Sequence, residues 1–180
     1  MRKLVLLLCL VCALVAGGSG AWAGEPTGGT LSVERGRGTV MIDLRGSVLG
    51  RLNTGTLRVT DQTPNDRYTA LVVGRKLTQE RIGPRTVLYR GQGLRYRMLG
   101  GGYKIVARGS GITLSAVGKG VVMLDGDPRF PGDDVGVYSS TPGVDCSAEP
   151  LTCTPLPTEP ERFTLEPPCT RHQPVPYRRA

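Results

Sequence analysis

The chain has 180 residues, a formal charge of +8 and a single histidine. It is long enough for one domain with an extension, and one histidine leaves little for His-based catalysis or a structural zinc site. The basic excess favours anionic partners such as envelope polymers, phospholipid surfaces or nucleic acid.

The chain opens as a secretory signal peptide. Arg2 and Lys3 form a positive start, Leu4 to Val15 is apolar without a charge, and Gly17, Gly18, Ser19 and Gly20 end the helix. Ala21-Trp22-Ala23 then supplies small residues at the cleavage positions. The apolar run is about twelve residues, short of the roughly 20 a permanent anchor needs, so removal of residues 1–23 is expected to leave no transmembrane anchor. Cys9 follows Leu8 and Cys12 follows Val11, which argues against lipidation. No twin-arginine pair is present, so the general secretory route, which carries unfolded chains, is the expected one.

Residues 24–29 read as a linker and residues 30–138 as a β-domain. Val40, Ile42 and Leu44 alternate with Met41, Asp43 and Arg45, and Leu57 and Val59 flank Arg58. Leu94, Tyr96 and Met98 alternate with Arg95 and Arg97; Tyr103, Ile105 and Ala107 alternate with Lys104, Val106 and Arg108. A period of two with one apolar parity predicts strands with one buried face. Arg35-Gly36-Arg37-Gly38, Gly91-Gln92-Gly93 and Gly100-Gly101-Gly102 are the expected hairpin tips, because glycine accepts the positive φ of tight turns. Gly74–Gly83 reads as either a helical turn or an irregular strand. The whole predicts an all-β fold, an antiparallel β-sandwich or partly closed β-barrel of roughly nine to eleven short strands.

Residues 38–61 and 102–125 echo each other. Both pass from an alternating strand through Arg-Gly-Ser (Arg45-Gly46-Ser47 and Arg108-Gly109-Ser110) to further strands ending in Asp. An internal duplication is one reading, and chance likeness between glycine-rich β segments is the other. Two copies are too few for a solenoid.

Asp125, Asp127, Asp133 and Asp134 make the densest acidic stretch and a calcium candidate. Arg129 stands where an EF-hand loop needs its third ligand, and no Glu closes the loop, so a solvated turn is the better account. Nine of the 14 prolines lie in residues 140–180. Proline removes ladder donors and fixes φ, so residues 139–180 are expected to form an extended, disordered tail. That tail holds the cysteines left after signal removal. In an oxidising compartment Cys146 and Cys153, which span the shorter loop, are the favoured disulfide; Cys169 remains free or open to another chain. The spacing of these cysteines and His172 fits no common zinc pattern.

No catalytic set is visible. A phosphate loop needs a helix after its glycines, whereas these glycines join strands. Ser47 and Ser110 lack a nucleophile elbow. A carboxylate pair drawn from Asp43, Asp61 or Asp125 would suit a glycosidase, but nothing selects one. The most suggestive feature is the polar parity of the central strands. Arg90, Arg95, Arg97, Lys104 and Arg108 would share one sheet face, suited to phosphate or carboxylate groups; a solvated polar face is the plainer alternative. Tyr96 and Tyr103 fall on the apolar parity, so the aromatics that nucleic-acid binding wants beside such charges are missing.

The stretches RGRGTVMIDLRGSVLGRL and LRYRMLGGGYKIVARGSGITLSAVGKG resemble small exported all-β proteins of high-GC, actinobacteria-type bacteria. The resemblance spans residues 30–138 and implies an extracytoplasmic address and this fold class, with no site residues to carry over. The expectation is an exported, non-enzymatic β-domain without cofactor that binds an anionic envelope polymer or another exported protein. A small carboxylate- or metal-dependent hydrolase acting on carbohydrate is the second reading. An assembly module cross-linked through Cys169 is the third.

Overall fold

The computed structural model describes residues 29–64, 67 and 69–166. The expected signal peptide, nearly all of the linker, Cys169 and His172 lie outside this range. Within it the chain is all-β, as the alternation predicts. Strands β1 (Gly29–Asp61), β2 (Leu71–Gly83), β3 (Thr86–Met98) and β4 (Gly102–Gly126) precede the short β5 (Val137–Ser139), β6 (Thr154–Pro155) and β7 (Glu161–Leu165). They form one antiparallel sheet in the order β2-β3-β1-β4-β7, with β5 joined to β1 and β6 to β5, and the sheet is not closed into a barrel.

Seven strands replace the expected nine to eleven because β1 and β4 run for 33 and 25 residues. Glycines that read as strand ends lie inside these strands instead. The register shows their use. Residues 29–45 pair with 102–118, and residues 38–61 pair with 103–126, so segment 38–45 has β4 on both sides and segment 103–118 has β1 on both. The two strands therefore wind about each other, and their backbones meet where glycine faces glycine. Gly46 is in register with Gly118 and Gly55 with Gly109. At Gly109, whose φ is +148°, a Cβ would overlap the Thr54 carbonyl oxygen and stand 2.9 Å from the Gly55 Cα. A shift of 63 residues carries Gly46 onto Gly109 and Gly55 onto Gly118. The two Arg-Gly-Ser steps thus occupy equivalent places, one at each crossing.

All three expected hairpin tips need correction. Arg35–Gly38 lies within β1 and Gly91–Gly93 within β3. Residues 100–102 do turn, but they lead from β3 to β4, which have β1 between them. The hairpin tip is Gly83-Pro84-Arg85-Thr86, where Gly83 pairs with Thr86 to join β2 and β3. Gly74–Gly83 is the irregular strand of its two readings, with register shifts around Arg75 and Lys76 at φ 49°.

The buried parity is the one the sequence marks. Val40, Ile42, Leu44, Leu57, Leu94, Met98, Ile105 and Leu124 are all closed to solvent, each worth about 1.5–3 kcal/mol relative to exposure. The tail expectation fails for residues 139–166. β7 pairs with residues 120–124 of β4, Leu156 and Leu165 are buried, and Phe163 stacks on Tyr138 at 6.1 Å. Prolines are compatible with this packing because they fall in edge strands and loops, where no ladder donor is lost. The Cys146–Cys153 disulfide is formed. Cys146 is buried, and its N–H donates to Ser32 Oγ at 3.0 Å, tying the bridged loop to β1. No helix among the described residues is long and apolar enough to cross a membrane.

Candidate functional site

Residues opposite one another on neighbouring strands point to the same face of a sheet, so the register sorts the exposed cations. All five sequence candidates are exposed, but they do not form one cluster. Arg90, Arg95 and Arg97 belong to β3, Lys104 and Arg108 to β4, and β1 lies between them, a separation of about 10 Å at ordinary strand spacing. Arg90 is neutralised by Glu80 at 2.7 Å. Lys104 is in register with Asp43.

Arg95 and Arg97 instead gain partners that the alternation did not mark. Leu71, Arg97 and Leu49 form one row across β2, β3 and β1, and Val73, Arg95 and Arg51 form the next. Arg51, Arg75 and Arg95 line a cleft of about 440 Å³ together with Asn53, Val73, Gly74 and Gly93. Their near counter-charge is Glu34, whose Oε1 lies 3.6 Å from Arg51. The three aliphatic side chains of these rows are half exposed: Leu49 at 49%, Leu71 at 52% and Val73 at 48%.

A second furrow of about 430 Å³ shares Arg51 and Arg95 and continues over Gly50 and Tyr96 to Asp145 and Ser147 of the disulfide loop. Tyr96 lies against Gly50, where any side chain would strike its ring. Burial pushes the Tyr96 phenol above the usual tyrosine range, so it stays neutral.

Arg108 lines a separate cavity of about 650 Å³ with Arg37, Asp125, Asp127, Arg129 and Phe130, beside the Gly55–Gly109 crossing. Arg37 stacks over Phe130 at 4.2 Å, and Thr54 and Ser110 share a hydroxyl–hydroxyl bond of 2.8 Å. Arg129 grips Asp127 as a fork, with Nη2 2.6 Å from Oδ2 and Nε 2.9 Å from Oδ1. These bonds lower the Asp127 pKa to about 2. The calcium candidates do not gather. Asp127 is taken by Arg129, and Asp133 and Asp134 are exposed on a 3-10 turn, Gly132–Val135. Among the described residues, no group of three or more His, Cys, Asp or Glu is arranged to hold a metal ion. Asp125 and Asp127 do share a concave wall, as a carboxylate hydrolase would require, but Asp127 is held deprotonated and is a poor general acid. Asp43 accepts from Gln62 and Asp61 from the Thr63 N–H, each in its own local contact.

No family model matches the chain. A search of curated proteins and one of solved structures also find no match.

Proposed function

We propose that this protein is an exported, non-enzymatic β-domain that binds an anionic component of the cell envelope through the β1–β2–β3 part of its basic sheet face. The observation that carries this reading is Arg51 directly opposite Arg95 on adjacent strands, with Arg75 in the same cleft. Like charges so placed are destabilising, and Glu34 at 3.6 Å offsets only one of them. An anion seated in the cleft relieves that repulsion, and guanidinium forks suit the paired oxygens of phosphate or carboxylate. Export is supported by the signal-like first 23 residues and by a disulfide, a bond that persists in oxidising compartments.

The test is co-sedimentation with native envelopes over a salt series. Wild-type protein should associate at low salt and be released near 1 M, where the screening length is about 3 Å. An Arg51→Glu/Arg95→Glu variant should stay in the supernatant throughout. Unchanged association of that variant, with unchanged salt response, would remove this face from the function.

A further inference from the structure

We infer that the anionic partner is the surface of a phospholipid bilayer, docked on the β1–β2–β3 face. This inference rests on the anion-binding reading above and narrows it to one kind of partner.

The face is an amphiphilic checkerboard. In one row Arg97 stands between Leu71 and Leu49, and in the next Arg95 stands between Val73 and Arg51. A soluble polyanion satisfies the arginines and leaves about half of each aliphatic side chain in water. A bilayer surface satisfies both kinds of group. Headgroup phosphates meet the Arg51–Arg75–Arg95 cleft, while Leu49, Leu71 and Val73 enter the boundary between headgroups and acyl chains. Peripheral proteins hold a membrane through this combination, since a single apolar or basic signal gives only marginal binding.

The charge distribution fits a negative surface. Neither row contains an acid, and the neighbouring acids Glu34 and Glu80 are each paired with an arginine. Asp145 stands in the disulfide loop at the far side of the adjoining furrow. Position fits as well. β2 forms one edge of the sheet and is exposed along nearly its whole length, so Leu71 and Val73 can approach a flat surface without obstruction from a further strand.

The experiment compares three partners for the chain lacking residues 1–23: vesicles of phosphatidylcholine with phosphatidylglycerol, vesicles of phosphatidylcholine alone, and lipid-free polyphosphate. Binding to the anionic vesicles and not to the neutral ones is expected. Each of Arg95→Gln and Arg97→Gln should lower the partition coefficient about five-fold, the ordinary effect of one basic residue near an anionic leaflet. Leu49→Ser and Leu71→Ser should weaken vesicle binding several-fold and leave polyphosphate binding unchanged, while Leu49→Met and Leu71→Met retain both. All four positions are exposed, so circular dichroism melts of the variants should overlay the wild type. If the serine variants bind vesicles as well as wild type does, or polyphosphate is bound and vesicles are not, the face reads charge alone. The lipid inference then fails and the anion-binding reading stands. If neither anionic vesicles nor polyphosphate is bound, both fail.

Discussion

Replacing Gly109 by alanine tests the winding of β1 about β4 more sharply than any core truncation. A Cβ there would overlap the Thr54 carbonyl oxygen and lie 2.9 Å from the Gly55 Cα, so the atoms that must yield are backbone atoms of a paired strand. Overpacking of this kind costs about 1–3 kcal/mol, and a positive φ imposed on a side-chain-bearing residue adds about 1–3 kcal/mol more. The sum, about 2–6 kcal/mol, is a large share of the 5–15 kcal/mol typical of a domain. At about 2–4 °C per kcal/mol for a chain of this size, a loss at the middle of that range, about 4 kcal/mol, should lower Tm by roughly 8–16 °C. Gly93 supplies the control. Its φ is +58°, but nothing lies within 4 Å of its would-be Cβ, so Gly93→Ala carries only the backbone cost, about 1–2 kcal/mol. Thermal melts followed by circular dichroism read the difference. Equal losses of Tm in the two variants would refute the claim that the strands pass within backbone contact at Gly109.

Two further outcomes follow from the same structure. A Cys146→Ser/Cys153→Ser variant should lose about 2–3 kcal/mol in urea unfolding, the loop-closure value for so short a loop. Thiol titration of the unreduced native protein should find neither cysteine reactive, since both are bridged. Asp127 has a folded pKa of about 2, below its ordinary 3.8, because Arg129 bonds to its charged form. Its contribution to stability is therefore present above about pH 4 and lost as pH falls toward 2. Urea midpoints of wild type and Asp127→Asn should converge on acidification across that window; a gap that widens would contradict the assigned sign.

The parts of the fold legible in the sequence are those fixed by the burial of one face. The alternation at 40–44, 57–59, 94–98 and 103–107 is the alternation of the core, because a strand with one face in solvent must repeat every second residue. Glycine was harder to read. A turn and a close strand crossing both demand a residue without Cβ, and only the partner strand tells them apart: Gly100–Gly102 turns, whereas Gly46, Gly55, Gly109 and Gly118 cross. The basic face was half legible for a similar reason. Arg95 and Arg97 sit in a clean alternation. Arg51 follows a glycine, and Arg75 lies on an edge strand with little buried parity to mark its outer side. The proline-rich stretch misled because proline forbids only central strands, and β6 and β7 are not central.

The mutual winding of the first and fourth strands has a consequence for how the molecule comes into being. Gly29 waits for Gly118, and Gly38 for both Gly109 and Gly126, so no part of β1 can be paired by β4 until Gly102 has been made, 102 − 29 = 73 residues after the start of β1. Contacts this distant in sequence fold slowly, because the loop must close before any pairing rewards it. A nascent chain of this design has only β2 and β3 to offer the second half of β1, and its first half stays without β4 until most of the chain has been synthesised.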